Sequence, residues 1–225
     1  MKEWMAGPGN LLRLVAAALG VACIGVGTAA TAEPTRGPSE WRFAVLLGER
    51  EIGQHRFRIQ PRGDATEVRS EARFDVKFLG FNAFVYRHEA TERWRGDCLE
   101  GIESRTDHNG RPYNVTGARE TERFRLRTLT ASTDLPACIM TFAYWNPRML
   151  GQQRLLNSQT GEFVDVRIEA KGTESLRAAG ATVDARRYTI TGRELQIDLW
   201  YGPDGRWVGL ESLTEGGRRL RYLLM

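Results

Sequence analysis

A chain of 225 residues with 32 Lys and Arg against 28 Asp and Glu has a net charge of only +4, and its basic side chains alternate with acidic ones instead of gathering on one face. That balance excludes the electrostatic footprint of a nucleic-acid-binding protein. With 41% hydrophobic residues, the length suits one domain large enough to bury a real core.

Residues 1–32 have the form of a processed export signal. Lys2 and Arg13 precede an apolar run over 14–26, and Ala30-Thr31-Ala32 is a small-x-small cleavage site, so Glu33 is the expected first mature residue. The apolar run is shorter than the roughly 20 residues of a spanning helix. No later stretch approaches that length, and the mature chain is expected to lack a transmembrane helix. Cys23, after Gly20-Val21-Ala22, raises a lipid-anchor reading. The residues after it stay apolar up to Ala32, where an anchored cysteine would be followed by a polar tether, so cleavage after Ala32 is the favoured reading. Residues 33–40, rich in Pro, Gly and Ser, read as a flexible lead-in.

From Trp41 the hydrophobic period becomes two, predicting strands over 41–47 and 52–59. Residues 65–78 place Val68, Ala72, Phe74, Val76 and Phe78 on one side and six charged residues on the other, a long strand with one wet face. The predicted strand over 83–95 carries Phe84, Tyr86, His88, Ala90, Glu92 and Trp94 on one face, and a strand over 98–108 follows with Ile102 and His108 on the same side as Cys98. Asn109-Gly110 is a strong hairpin signal, because both residues tolerate positive φ. Strands over 113–120 and 123–128 complete the first half. Arg62-Gly63-Asp64, after Pro61 and between two strands, is a hairpin loop rather than an adhesion motif.

Strands resume over 163–170, 183–191, 195–201, 206–213 and 219–224, with turns at Pro203-Asp204-Gly205 and Gly216-Gly217. Sequential hairpins of this kind predict a mainly β fold, an antiparallel up-and-down meander curled into a barrel or half-barrel over 41–225.

The insert at about 135–157 does not alternate. Asp134 before Pro136 and Asn146 before Pro147 resemble two helix starts, predicting short helices over 136–145 and 147–153, packed on the concave face through Ile139, Phe142, Trp145, Met149 and Leu150. Cys98 and Cys138 remain after the signal peptide. Export favours a disulfide between them, closing a loop worth roughly 4 kcal/mol of chain entropy, and two unpaired thiols are the alternative.

Phe142-Ala143-Tyr144-Trp145-Asn146-Pro147, the segment Leu155-Leu156-Asn157-x-Gln159-Thr160-Gly161, Leu199-Trp200-Tyr201 and Trp207-Val208-Gly209-Leu210-Glu211 resemble, in that order, the hallmark segments of an exported bacterial family of unknown function. The resemblance implies an envelope protein, located in the periplasm, and carries no catalytic residue. More distantly, the layout of meander, insert and meander is similar to periplasmic lipoprotein carriers with a half-barrel closed by helices.

No hydrolase elbow, zinc-protease helix, phosphate loop or dinucleotide fingerprint is present, which points away from an enzyme. Three histidines, His55, His88 and His108, lie on apolar faces, but nothing in their spacing makes them converge on a metal. His88 and Glu92 share one strand face and form the weak candidate for an acid–base pair. Glu92 beside Trp94 must be paired or have a raised pKa. Phe142, Tyr144 and Trp145, joined by Tyr86, Trp94 and His55, are the candidate ligand contacts. The expected function is therefore non-enzymatic binding or carriage of a hydrophobic, lipid-like ligand without a metal or cofactor. Two alternatives are an envelope structural or assembly factor acting through a sheet edge or the turn near Trp200, and a hydrolase using His88 and Glu92.

Overall fold

A computed structural model describes residues 39–78, 81–214 and 216–225. The expected signal peptide, its cleavage site and most of the lead-in lie outside the described residues.

The first half of the chain forms β1 (Ser39–Leu47), β2 (Arg50–Arg62), β3 (Ala65–Phe78), β4 (Phe81–Arg95), β5 (Cys98–His108), β6 (Arg111–Arg119), β7 (Arg123–Arg127) and β8 (Ser132–Pro136). After the insert come β9 (Arg154–Leu156), β10 (Phe163–Asp165), β11 (Arg167–Ala178), β12 (Ala181–Thr191), β13 (Gln196–Tyr201), β14 (Trp207–Leu213) and β15 (Arg219–Leu224). Thirteen of these make one antiparallel sheet in the order β11-β12-β13-β14-β15-β1-β2-β3-β4-β5-β6-β7-β8, while β9 and β10 form a separate two-stranded ribbon. Pairing of β1 with β15, Phe43 opposite Leu224, fuses the two halves of the meander. The outermost strands, β8 and β11, do not pair with each other, so the sheet is curled but not closed.

The alternation read from the sequence sets the faces. Val68, Ala72 and Phe74 of β3 are buried, while Arg69, Arg73 and Asp75 face out in ion pairs with Glu67, Glu89 and Arg87. Asn109 and Gly110 form the expected β5–β6 turn with φ of 56° and 84°. One face assignment is corrected: the register shift opposite Arg93 and Trp94 pairs Trp94 with Leu99 and Glu92 with Ile102, so Leu99 rather than Cys98 turns inward.

The predicted central helices are also corrected. Asp134 and Pro136 lie in β8, not at a helix start, and the expected strand over 163–170 breaks at Val166 into β10 and β11. Among the described residues no α-helix is present; the insert contributes one 3-10 turn, Pro147–Gly151, capped by the Asn146 side chain, which accepts from the Arg148 N–H at 3.1 Å. The physical reason is where the backbone finds partners. Leu99 N–H donates to the Ile139 carbonyl at 3.0 Å, Leu156 N–H to Met140 at 2.8 Å and Phe142 N–H to Leu156 at 3.2 Å. Stitched sideways to β5 and β9, residues 139–142 have no need of an intrahelical ladder.

The insert is part of the core. Ile139, Met140, Met149, Leu155 and Leu156 are buried against Phe43, Phe57, Trp94, Ile102 and Trp207 of the sheet. Each such side chain contributes about 1.5–3 kcal/mol on burial. A Cys98–Cys138 disulfide ties the insert's start to β5.

Candidate functional site

Where strands β2 to β5 face the insert, their registers set up rows of side chains running across the sheet. One row reads His55, Ala72, His88, Thr106; the next reads Phe57, Ser70, Ala90, Ser104; a third brings Val68, Glu92 and Ile102 together. The small residues in the middle of the first two rows leave the sheet face hollow. Over that hollow lies a cavity of about 200 Å³, walled by Phe57 and Val68 from the sheet and by Phe142, Tyr144 and Trp145 from the insert. Its polar lining is His55, Ser70, His88, Glu92, Thr141, Asn157 and Ser158, and it reaches the surface at Gln159.

The polar groups are held individually. His55 Nε2 sits 2.7 Å from Ser70 Oγ, and its ring stacks on Phe57 at 4.1 Å between centroids. His88 Nδ1 sits 2.9 Å from Thr106 Oγ1. Burial pushes His88 from 6.5 down to about 4, and burial followed by the nearby His88 pushes His55 well below the usual imidazole range, so both rings are neutral. Glu92 Oε2 accepts from Trp94 Nε1 at 3.0 Å and from Thr141 Oγ1 at 3.3 Å. Burial nevertheless raises this carboxyl from 4.5 to about 7, the two hydrogen bonds opposing the shift.

The loop over 157–161 closes one side. Asn157 Oδ1 accepts from the Gln159 N–H at 2.9 Å and the Asn157 carbonyl accepts from Gly161 N–H at 2.8 Å, which makes the segment a tight turn. Ser104 Oγ donates to the Ser158 carbonyl and fastens this turn to β5.

Of the residues singled out from sequence, His55, His88, Glu92, Phe142, Tyr144 and Trp145 meet at the cavity. Tyr86 and Trp94 do not line it. Tyr86 belongs to a second cluster with Val45, Ile52 and Phe74, stacked on Phe74 at 5.0 Å, because it lies one register row beyond His88. Trp94 is fully buried beneath Trp145, ring centroids 5.5 Å apart, and only its N–H serves the site. His108 packs against Phe84 and Tyr86 instead of joining the other two histidines, whose rings are 6.5 Å apart. Among the described residues no group of three side chains is placed to hold a metal ion.

Ser70, Thr141 and Ser158 were missed. Ser70 was legible, since parity on β3 places it between Val68 and Ala72 on the inner face. Thr141 and Ser158 sit in irregular segments, where no period assigns a face.

Chemically, Ser70 and His55 have the spacing of a nucleophile and its base. His55 Nδ1, however, is buried without a partner, so no carboxylate orients the ring as a hydrolytic triad requires. His88 and Glu92 make no hydrogen bond to each other; four residues apart on one strand, they are held by Thr106 and by Trp94 with Thr141.

A curled, open antiparallel meander whose own insert fills the interior defines a β-barrel-like protein with a small internal cavity. The same fold is seen in a crystal structure described as a beta-barrel-like protein of the domain of unknown function DUF1849 from Brucella abortus, with a TM-score of 0.62 over 84% of this chain and 96% of that one at 8% sequence identity. The chain belongs to the DUF6134 family, a domain of unknown function, whose model matches residues 43–225. No curated protein matches it in sequence.

Proposed function

We propose that this protein is an exported, periplasmic binding protein without a catalytic role, which accepts a compact ligand with a hydrophobic body between its sheet and its insert. The observation that carries the reading is the cavity itself: a core otherwise closed over by the insert keeps about 200 Å³ open beneath three aromatic side chains of that insert. Ligand pockets for drug-sized molecules span roughly 300–1,000 Å³, so the occupant is a short chain or single ring rather than a full-length membrane lipid. Residues 1–32 support export.

The alternative of an assembly factor has less support. Edge strand β11 is interrupted between Ala170 and Gly172 and carries Arg167, Glu169, Lys171, Glu174 and Arg177, devices that blunt a sheet edge against pairing. Of the aromatic residues near the 203–205 turn, Trp207 and Tyr201 are core, and Trp200 donates to Glu174.

Native mass spectrometry of protein isolated from its own envelope should show an added mass of small-molecule size, and soaking with small aromatic or short-chain probes should raise the melting temperature. A clean apo mass together with no response to any probe would overturn the binding reading.

A further inference from the structure

We infer that the cavity takes a small organic monocation, a primary or quaternary amine whose charged group sits between Glu92 and the aromatic walls. The inference rests on the binding reading above and adds the charge of the ligand.

The first argument is an unbalanced charge. Glu92 supplies the one carboxyl of the lining, and no Lys or Arg among the described residues lines the cavity, although the chain carries 32 of them. Elsewhere buried or half-buried carboxylates in this protein have a cationic partner: Asp198, also buried, takes Arg187 at 2.8 Å, and Glu67 takes Arg69 at 3.0 Å. Among the described residues Glu92 has two donors, both neutral, and both reach the same oxygen, Oε2. Its Oε1 is left to the cavity that Glu92 lines. A buried carboxyl without a cation holds a proton or awaits one.

The second argument is what surrounds it. His55, His88 and Ser70 line the cavity with neutral imidazoles and a hydroxyl, groups that can accept hydrogen bonds from an ammonium that carries N–H. Phe57, Phe142, Tyr144 and Trp145 supply the electron-rich faces that attract a cation, more strongly where water is excluded. The same faces and Glu92 repel an anion.

The third argument is size. A cavity of about 150 Å³ holds benzene, so one of about 200 Å³ holds a single-ring or short-chain amine.

The test is isothermal titration calorimetry of the folded protein near neutral pH with three isosteric probes: benzylamine as cation, benzyl alcohol as neutral molecule and benzoate as anion. We expect benzylamine to bind at least about tenfold more tightly than benzyl alcohol, benzoate to show no heat, and Glu92→Gln to erase the preference for the amine. Equal binding of benzylamine and benzyl alcohol, or tightest binding of benzoate, would overturn the cation assignment while leaving the small-ligand reading intact. No heat from any probe would overturn both. If Glu92→Gln fails to fold, the ranking of the three probes on the unmodified protein decides the question.

Discussion

The hydroxyl of Thr141, in the insert, donates to Oε2 of Glu92, in β4, at 3.3 Å, so that one hydrogen bond to a buried carboxyl joins the two layers of the protein. Its acceptor is also a group whose protonation differs between the folded and unfolded chain.

Burial raises the Glu92 carboxyl from 4.5 to about 7. Between those values the folded protein keeps a proton that the unfolded chain has released, so the stability tied to this group is present below pH 4.5 and is lost as the pH rises through 7. The shift corresponds to roughly 3 kcal/mol. His88 acts in the opposite direction: lowered from 6.5 to about 4, it makes stability fall as the pH drops through that window. Glu92→Gln should therefore gain on the unmodified protein by roughly 2–3 kcal/mol between about pH 5 and pH 8, read from urea midpoints. A difference that stays flat with pH would show that the carboxyl titrates normally.

The Cys98–Cys138 bridge closes a separation of 40 residues. Replacing both cysteines by serine should cost roughly 4 kcal/mol of equilibrium stability by the chain-entropy estimate. Because the bridge holds the start of the insert, hydrogen exchange should rise first at the Leu99 amide, whose acceptor is the Ile139 carbonyl. Protection of Leu99 equal to that of the bridged protein would count against this coupling.

Met149 in the 3-10 turn has no exposed surface, whereas Leu129 in the β7–β8 turn is 58% exposed. Met149→Ala should cost about 2–5 kcal/mol and Leu129→Ala less than about 0.5 kcal/mol, both measured by denaturant unfolding. Equal small losses would mean that the insert is a detachable lid instead of core.

Gly161 has a φ of +83°, and a Cβ there would come within 2.5 Å of Thr128 Cγ2. Gly110, at +84°, has open space around it. Alanine at Gly110 should cost about 1–2 kcal/mol from backbone strain alone. At Gly161 the overpacking should add about 1–3 kcal/mol. Thr128→Ser, which removes the obstructing methyl, should recover the added part in the double variant. Failure of that rescue would place the defect in the turn itself.

The strands were legible because each has one wet and one buried face, and side chains alternate with period two whatever the strand pairs with. Residues 65–78 and the Asn109-Gly110 turn could be read without knowing any partner. The insert was misread because Asn146-Pro147 is a true helix-start signal that closes only one 3-10 turn, and because Asp134 and Pro136 fit an edge strand as well as a cap. Backbone bonds from residues 139–142 to β5 and β9 outweighed local propensity, and no local pattern reports bonds to residues 14 to 40 positions away. At the site, Glu92 and His88 were visible by parity, but their neighbours were not. That His88 meets Thr106, and that Glu92 meets Thr141, depends on register and on the path of the insert.

By itself, then, the amino-acid order determined a mainly β meander, the inward faces of the strands over 65–78 and 83–95 and the two cysteines available for a bridge, since these follow from alternation and composition. Only the tertiary structure decided that the sheet stays open, that the insert is irregular core, and that a hollow remains over Ser70 with an unbalanced carboxyl beside it. Those outcomes depend on the register between strands and on backbone partners distant in the chain, which set where side-chain volume falls short of the space enclosed.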